Sequence, residues 1–566
     1  MKAHAGGFMF ASSFIINERG NVLKKVPKMR ELFAHIRQLM LGEKSLRGNL
    51  GIPAIDGLID QQSYSVIEID NLLDVVDHTQ TLVGKETVHK AFSQQCLSPE
   101  EIDSRQQALR EIADDKALRD SLQGLLQKAA KYENSFYRLL FVRFIGFIFS
   151  PEEDRLEEAG YGYQLYAKAV KFLPSVVAEA KQLKAIKSPY LKGLIDEIVL
   201  FGNSRECHLM QGPVYMWLGK MYLRQEKTWY MLAVKLRLSL FKPMLLPLVF
   251  IVTVASPYIL NISIAQFTVF ALLPFLLLVF YVPIVGGFDK DAFIIPLRRL
   301  FVRSAKVERA VKVIGLLDEL MSYHQYAVKS VHKTILPTMQ LAANQFIHVT
   351  GAVNPVLAFN DPNYIANDFD TSRHNLAFFT GPNSGGKTAF CKTLAQIQLL
   401  SQVGCYVPAE SATLTIADRV YYQTPEVNSL DHDVGRFGTE LKRTRDIFKL
   451  ATPNSLVILD ELAEGTTHKE KLETSLMILE AFKQLGSLTI LVTHNHELAE
   501  HYQDAGLAIF RQVEFANNQP THRFIDGVSI ISHADLVAHQ VGFSKDDINR
   551  ILQEKTGTTT MHNDTE

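Results

Sequence analysis

Several features that would place a chain in a familiar class are scarce in this one. Only four cysteines occur in 566 residues, at Cys96, Cys207, Cys391 and Cys405, and none forms a C-x-x-C pair. We therefore expect reduced thiols rather than a disulfide framework or a zinc site. The formal net charge is −1 at pH 7, so any nucleic-acid contact must depend on local basic patches. The apolar runs of the first twenty residues are short and interrupted, which gives no expectation of a signal peptide.

Charge is missing altogether from residues 243–288, which contain no Asp, Glu, Lys, Arg or His. A membrane-spanning helix needs about 20 apolar residues, so the sequence predicts two spans, at about 243–260 and 265–285. Basic residues precede and follow the pair, which puts both flanks on the cytoplasmic side. We expect a membrane location with both large domains cytoplasmic. A helical hairpin buried in a protein core is the alternative.

A stretch typical of phosphate binding lies in the C-terminal half. An apolar run, Leu376 to Phe379, precedes GPNSGGKT, and a helix-periodic segment follows through Leu400. In the pattern G-x-x-x-x-G-K-[ST], glycines let backbone N–H groups wrap a phosphate chain at a helix N-terminus. The alternative is a glycine-rich turn without a ligand. The candidate nucleotide-binding residues are Gly381, Pro382, Asn383, Ser384, Gly385, Gly386, Lys387 and Thr388.

Roles within this pattern follow from phosphoryl-transfer chemistry, with ATP and Mg²⁺ as the expected ligands. Lys387 is expected to reach the β- and γ-phosphates, and Thr388 to ligate Mg²⁺. A second apolar run ends in Asp460 and Glu461, which we assign to the metal and to the attacking water. A third run, Leu488 to Val492, is followed by Thr493 and His494. We predict that His494 contacts the γ-phosphate.

These blocks together resemble the ATPase domain of the MutS DNA mismatch-repair family. The resemblance rests on GPNSGGKT, QVGCYVPAE, LVILDELAEGTT and VTHNHEL, which occur in the family's order, and it covers about 345–553. It implies a doubly wound, ABC-like α/β domain that hydrolyses ATP and forms a homodimer. Residues 68–115 are similar to the start of the family's helical core and lever, and there Ser98 and Pro99 are predicted to begin a helix.

The sequence departs from the family's pattern in three places. The first 150 residues contain no Phe-x-Glu tripeptide, which in the family forms the mismatch wedge. The charge-free segment occupies the place of the DNA clamp. The segment from Asp431 to Leu441 resembles the family's signature loop, which completes the partner subunit's nucleotide site, but no serine matches. Thr439 and Arg436 are candidates to replace it, and the loop has no evident use inside its own subunit.

The predicted organisation is a C-terminal α/β ATPase domain joined to a mainly α-helical region with a two-helix transmembrane hairpin. The predicted segments are an N-terminal segment at 1–65, a helical core and lever at 66–240, the hairpin at 241–288, returning lever helices at 289–344, the ATPase domain at 345–553 and a disordered tail at 554–566.

Two functions fit this organisation. The first is a membrane-anchored, ATP-hydrolysing protein that binds DNA in repair or recombination. Its DNA contacts would come from the basic helices at 298–312 and 22–38, without mismatch specificity. The second is an ATP-gated membrane switch or scaffold that does not bind DNA. An ABC transporter subunit is disfavoured because no LSGGQ-type signature occurs.

Overall fold

The structure is a computed structural model. It describes residues 14–16, 22–24, 31–40, 58–92, 98–145, 156–183, 185–236, 283–382, 385–425, 435–463, 467–516, 519–529 and 541–556. The chain forms two compact units. The first unit comprises residues 1–48, 79–89 and 107–322, and the second comprises 49–78, 90–106 and 323–566.

Helices make up most of the described residues up to Lys329. The described helices are α1 Glu31–Met40, α2 Gln61–Val66, α3 Ile69–Val76, α4 Leu82–Ala91, α5 Pro99–Asp114, α6 Lys116–Phe141, α7 Tyr163–Ala169, α8 Phe172–Ala180, α9 Pro189–Gly202, α10 Arg205–Gln211, α11 Ile295–Arg303, α12 Ala305–Lys329, α13 Lys387–Gln402, α14 Gly435–Leu450, α15 His468–Leu485, α16 His496–Asp504 and α17 Lys545–Thr556. A π-helical turn, Lys290–Ile294, leads into α11.

Strands are concentrated in the second unit. The described strands are β1 Phe14–Ile16, β2 Val22–Lys24, β3 Arg143–Phe144, β4 Glu157–Glu158, β5 Val214–Trp217, β6 Lys220–Leu223, β7 Val234–Lys235, β8 Thr338–Gln340, β9 Ile347–Ala352, β10 Asn367–Asp370, β11 Leu376–Thr380, β12 Ser411–Thr415, β13 Val420–Gln423, β14 Leu456–Asp460, β15 Leu488–Val492, β16 Ile509–Ala516 and β17 Gln519–Asp526.

Local sequence accounts for the start of α5. The Ser98 hydroxyl accepts a hydrogen bond from Glu101 N at 3.2 Å, and Glu101 Oε2 accepts one from Ser98 N at 3.0 Å. This reciprocal pair is a capping box, and it satisfies two backbone donors that the first turn leaves without intrahelical partners. Pro99 occupies the first helical position, where its missing N–H has no effect on the helix. The predicted helix start at Ser98 and Pro99 is confirmed.

The core of the first unit forms around one face of α6. Asp115 caps this helix by accepting a hydrogen bond from Leu118 N at 3.0 Å. Farther along α6, the Phe136 ring lies 5.2 Å from that of Phe172 and 6.4 Å from that of Phe301. All three rings are buried, so α8 and α11 are held against α6 by aromatic packing.

Two buried carboxyl groups, of Asp318 and Glu133, cap the start of α4 within the first unit. Asp318 accepts hydrogen bonds from the backbone N–H groups of Gln80 and Thr81, at 3.0 and 2.8 Å to Oδ2. Glu133 Oε1 accepts one from Leu82 N at 2.8 Å. Gly84 permits this approach, because a Cβ there would lie 2.2 Å from Asp318 Oδ2. Three segments distant in sequence therefore meet at one helix terminus.

The prediction of a membrane location is wrong. In the part of the chain that the structure describes, no helix is both long and apolar enough to cross a membrane. The longest of these helices, α6 and α12, have sufficient length, but they carry acidic and basic side chains along it. The predicted spans at 243–260 and 265–285 lie outside the described residues except for 283–285, and the predicted tail at 554–566 does so beyond Thr556.

The second unit is built on a six-stranded sheet with the order β13-β14-β15-β11-β16-β17. The pairs from β13 through β16 are parallel, and β17 is antiparallel to β16. Strands β11, β14 and β15 are buried at every position, which is typical of parallel strands covered on both faces. A four-stranded sheet, β10-β9-β12-β8, belongs to the same unit.

Neighbouring residues of β11 show that both faces of this sheet are covered. The Phe378 ring lies 5.1 Å from that of Phe510 and 5.4 Å from that of Tyr502 in α16. The Phe379 ring lies 5.7 Å from that of Phe390 in α13 and 5.3 Å from that of Phe524. Because successive strand residues point to opposite faces, α13 and α16 cover opposite sides. The predicted α/β fold of this domain is confirmed.

Candidate functional site

The loop between β11 and α13 lies at the carboxyl edge of the parallel sheet. In its first turn, Gly385 N donates a hydrogen bond to Pro382 O at 3.1 Å. Gly386 precedes α13 with φ of 86°, a left-handed conformation that glycine adopts without strain. At Gly385, an added Cβ would lie 2.5 Å from Val513 Cγ2. The glycines are therefore required by the path of the loop. Asn383 and Ser384 lie outside the described residues.

Lys387 is the first residue of α13, and its side chain turns back into the loop. It is 1% exposed, and its Nζ donates a hydrogen bond to Gly381 O at 2.6 Å. Burial lowers the pKa of Lys387 to about 8, although the nearby carboxylates of Asp460 and Glu461 oppose this shift. The loop therefore encloses a poorly hydrated ammonium group. A bound anion would stabilise its charged form.

Thr388 lies opposite the acid at the end of β14. Its Oγ1 donates a hydrogen bond of 2.9 Å to Asp460 Oδ2. The Tyr422 hydroxyl, on the neighbouring strand β13, lies 3.5 Å from the same oxygen. Burial raises the pKa of Asp460, while the hydrogen bond from Thr388 opposes the increase. The sequence did not single out Tyr422, which lies in an apolar strand without a recognisable motif.

Glu461 and His494 lie side by side at the ends of adjacent strands. His494 Nε2 is 3.2 Å from Glu461 Oε1. Glu461 N donates to Val492 O at 2.9 Å, which joins the end of β14 to that of β15. Glu461 has φ of 60°, and Ala463 has φ of 59°. Left-handed conformations cost non-glycine residues about 1–3 kcal/mol, and they are concentrated at functional sites.

Glu440 supports the loop that follows Glu461. It lies in α14, is buried, and its Oε1 accepts a hydrogen bond from Ala463 N at 2.6 Å. The predicted signature segment therefore does have a use inside its own subunit, and the expectation of none is corrected for Glu440. The signal available in the sequence was that Glu440 is the acid matching the family's loop. Asp431 and the side chain of Arg436 lie outside the described residues.

The structure thus brings together residues from three strand ends. Parallel pairing aligns Asp460 with Val492 and Val492 with Phe379, so the segments that follow these strands meet at one edge. This arrangement is how open α/β sheets form ligand sites. The predicted site residues that it collects are Gly381, Pro382, Gly385, Gly386, Lys387, Thr388, Asp460, Glu461 and His494.

The donor set suits one magnesium ion held together with substrate. Mg²⁺ is commonly bound by one or two carboxylates, with substrate phosphates and water completing its shell. Thr388 Oγ1 and the buried Asp460 Oδ2 are adjacent oxygens, and the raised pKa of Asp460 would be relieved by a cation. The residues present therefore fit a Mg²⁺–nucleotide complex.

Fold and site define a P-loop nucleotide-binding domain of the α/β class.

The family model described as MutS domain V matches residues 377–536. The DNA mismatch repair protein MutS of Prochlorococcus marinus is 31% identical over 255 residues, which cover 44% of this chain and 28% of that protein. The DNA mismatch repair protein MSH3 of Kluyveromyces lactis is 29% identical over 216 residues, covering 37% and 21%.

Residues 377–536 are therefore similar to domain V of the MutS family, as the sequence blocks indicated. A further relative, the DNA mismatch repair protein MutS of Halalkalibacterium halodurans, is 29% identical over 244 residues, covering 42% of this chain and 28% of that protein. In each of these relatives, the matched part spans less than a third of the length. None of the three names describes a membrane protein.

Proposed function

We propose that this protein binds and hydrolyses ATP with Mg²⁺, dimerises through its ATPase domain and acts on DNA without a preference for mismatches. The observation that carries the ATPase part is the convergence of Thr388, Asp460 and Glu461 beside the buried Lys387. The match of residues 377–536 to the MutS domain V model supports the same reaction. The ATP-gated membrane switch is no longer proposed, because the membrane location on which it depended is contradicted.

Each residue has a role that its position supports. The charge of Lys387 would neutralise the phosphate chain, and the loop N–H groups would surround it. Thr388 and Asp460 would hold Mg²⁺, whose chemistry is to neutralise charge on the transferred phosphoryl group. Glu461 would orient the attacking water and accept its proton. His494 would hold the Glu461 carboxylate in place through Nε2. Its other ring nitrogen would reach the γ-phosphate.

Dimerisation is supported by an apolar groove between α14 and α15 in the second unit. A cavity of about 730 Å³ lies there, and Leu441, Phe448 and Met477 line it. All three side chains are at least one-third exposed, and apolar surface of this kind is typical of protein interfaces. Thr439, from the segment that resembles the family's signature loop, lines the same groove. Sedimentation with and without saturating ATP tests the proposal, which fails if the protein stays monomeric in both states.

The DNA part of the proposal depends on the relatives, whose names describe DNA mismatch repair. The absence of a Phe-x-Glu tripeptide from residues 1–150 supports binding without mismatch preference. Residues 298–312, predicted as a basic helix that contacts phosphates, provide weaker support for DNA binding. The structure divides them between α11 and α12, and two of their arginines are engaged within the protein. Arg298 donates to Val142 O at 2.7 Å, and Arg309 pairs with Glu197 at 2.5 Å.

One experiment separates these parts. ATP hydrolysis is measured with matched duplex, mismatched duplex and no DNA, in the wild-type protein and in Lys387→Ala. We expect Mg²⁺-dependent turnover that Lys387→Ala abolishes, with equal stimulation by the two duplexes. A tenfold or greater preference for the mismatch, about 1.4 kcal/mol, would restore mismatch recognition. Turnover that survives Lys387→Ala would remove the ATPase assignment.

A further inference from the structure

A small sheet in the first unit presents aromatic and basic side chains on one face. Its order is β6-β5-β7, with β5 antiparallel to both neighbours. Tyr215 pairs with Tyr222 and with Lys235, and Trp217 pairs with Lys220. Because paired residues and residues two apart share a face, these five side chains lie on the same side. We call this set the aromatic sheet face.

The rings of this surface continue into the segment between β6 and β7. Trp217 lies 6.4 Å from Tyr222 and 6.4 Å from Tyr230, and Trp229 lies 6.0 Å from Tyr230, all as ring-centroid distances. Trp229 is 96% exposed. The two tryptophans of the chain are therefore both found here. Trp229 and Tyr230 are exposed, and Trp217 and Tyr222 are half-buried. Large aromatic side chains are normally buried, so this partly exposed array of four rings indicates a binding surface.

Cations are interleaved with the rings. Lys220 and Lys235 belong to the face itself, and Lys227 Nζ lies 5.1 Å from the centre of the Tyr215 ring. Glu226 is the one acidic residue between positions 213 and 236. Its carboxylate is engaged by Arg205, whose Nε lies 2.7 Å from Oε1. The surface therefore presents positive charge between flat apolar rings.

We propose that the aromatic sheet face binds a single strand of nucleic acid. Unpaired bases stack on exposed rings regardless of sequence, while neighbouring lysines contact the phosphates. A sheet face carrying aromatic residues is suited to this because it spaces the rings along the strand. Leu218, Leu232 and Val234, in and beside the same sheet, are also exposed, so a lipid surface is the competing occupant. The lysines placed beside the rings favour nucleic acid. The inference deepens the DNA-binding part of the proposed function, on which it rests.

The two tryptophans give a direct readout of stacking in the full-length protein. Their fluorescence is followed during titration with an oligothymidylate of about 20 nucleotides, longer than the site of a single-strand-binding domain. We expect quenching and a much weaker response to a duplex of the same length. An oligouridylate arm distinguishes DNA from RNA. Quenching by anionic phospholipid vesicles and not by either oligonucleotide would overturn the proposal.

Variants locate the binding surface by anisotropy of a labelled oligothymidylate. Trp217→Ala should weaken binding by about 5- to 150-fold, the range for losing one stacked base. Trp217→Phe should retain binding within about fivefold, because the ring is kept. The double variant Lys220→Glu, Lys235→Glu should weaken binding. It should also make the slope of log K against log salt concentration less negative, by about 0.7 for each lost phosphate contact. Lys192→Glu is the matched control, because it reverses the charge of an exposed lysine on α9 of the same unit.

These outcomes remain distinguishable from failure of the ATPase proposal. Lys387→Ala should bind the oligothymidylate as the wild-type protein does, whatever its ATP turnover. If the circular dichroism spectrum shows that Trp217→Ala is unfolded, the test of binding at this face is made with Trp217→Phe and the lysine double variant. Unchanged binding in the lysine double variant, or equal loss in Lys192→Glu, would contradict the assignment to this face.

Discussion

Thr388 Oγ1 lies 2.9 Å from Asp460 Oδ2, although 72 residues separate them in the chain. The contact joins the N-terminal turn of α13 to the carboxyl end of β14, so two oxygen ligands of different kinds are adjacent before any cation is added. Removing either oxygen should therefore affect the metal requirement more than the fold.

We predict that Asp460→Asn raises the Mg²⁺ concentration needed for half-maximal ATP turnover by at least about tenfold, because one anionic ligand is lost. Thr388→Ala should act in the same direction, whereas Thr388→Ser keeps the hydroxyl and serves as the control. Magnesium titrations at fixed ATP provide the measurement. A Thr388→Ser variant as impaired as Thr388→Ala would show that the methyl group, not the oxygen, matters.

The pKa of Lys387 predicts a pH dependence of nucleotide binding. The side chain has a pKa of about 8 because it is buried, and bound phosphates would favour its charged form. Above pH 8, binding should therefore take up a proton, and affinity should fall by up to tenfold per pH unit. Calorimetry in two buffers of different ionisation enthalpy measures the uptake. Lys387→Arg, which stays charged, should show none; equal uptake in both proteins would assign the proton elsewhere.

Glu133 predicts that the first unit loses stability as pH rises. Burial raises the pKa of this carboxyl from 4.5 to about 8, with Asp318 adding to the shift and the N–H of Leu82 opposing it. The contribution of this group to the free energy of unfolding is therefore complete below pH 4.5. It declines by about 1.4 kcal/mol per pH unit as the pH rises towards 8. Hydrogen exchange of a peptide covering α4, corrected for intrinsic rates, should report the decline.

A matched pair of variants checks this assignment. Glu133→Gln keeps an acceptor for Leu82 N but cannot ionise, so exchange in α4 should lose most of its pH dependence. Glu179→Gln, at a partly exposed glutamate of the same unit that pairs with Lys128, should retain it. If both variants keep the wild-type slope, another group controls the stability of α4.

Glu440 predicts a separation of kcat from KM. Its carboxylate accepts from Ala463 N at 2.6 Å, two residues beyond Glu461. Loss of this acceptor leaves a buried N–H unsatisfied, at a cost of about 1–3 kcal/mol, and loosens the strained turn that positions Glu461. Glu440→Ala should lower kcat by about tenfold with KM for ATP within about threefold. A rise in KM with unchanged kcat would place Glu440 in nucleotide binding instead.

Local patterns predicted the elements that carry the site. The predicted strand at Leu488 to Val492 matches β15, and the predicted helix after Lys387 ends two residues beyond Leu400, at Gln402. These elements have apolar periodicity and glycine signals that act over a few residues. The P-loop and the paired acids were recognisable for the same reason.

Contacts between residues far apart in the chain could not be predicted from the sequence. Ser63 Oγ accepts a hydrogen bond from Tyr422 N at 2.9 Å across 359 residues, which fixes part of the second unit to a segment predicted as N-terminal. No periodicity encodes such a pairing. The region predicted as mainly helical to 240 also contains β5 to β7, whose short strands give too little alternation to be distinguished from a helix. The bounds of the six predicted segments remain predictions.

The most direct test of the ATPase account compares Glu461→Gln with the wild-type protein, measuring ATP binding and ATP turnover on the same preparations. Glu461 lies beside His494 and outside the loop that surrounds the phosphates, so its neutral variant should bind ATP within about threefold of wild type. Turnover should fall by about 100-fold or more, the range for loss of a general base. Wild-type turnover in Glu461→Gln would contradict the account.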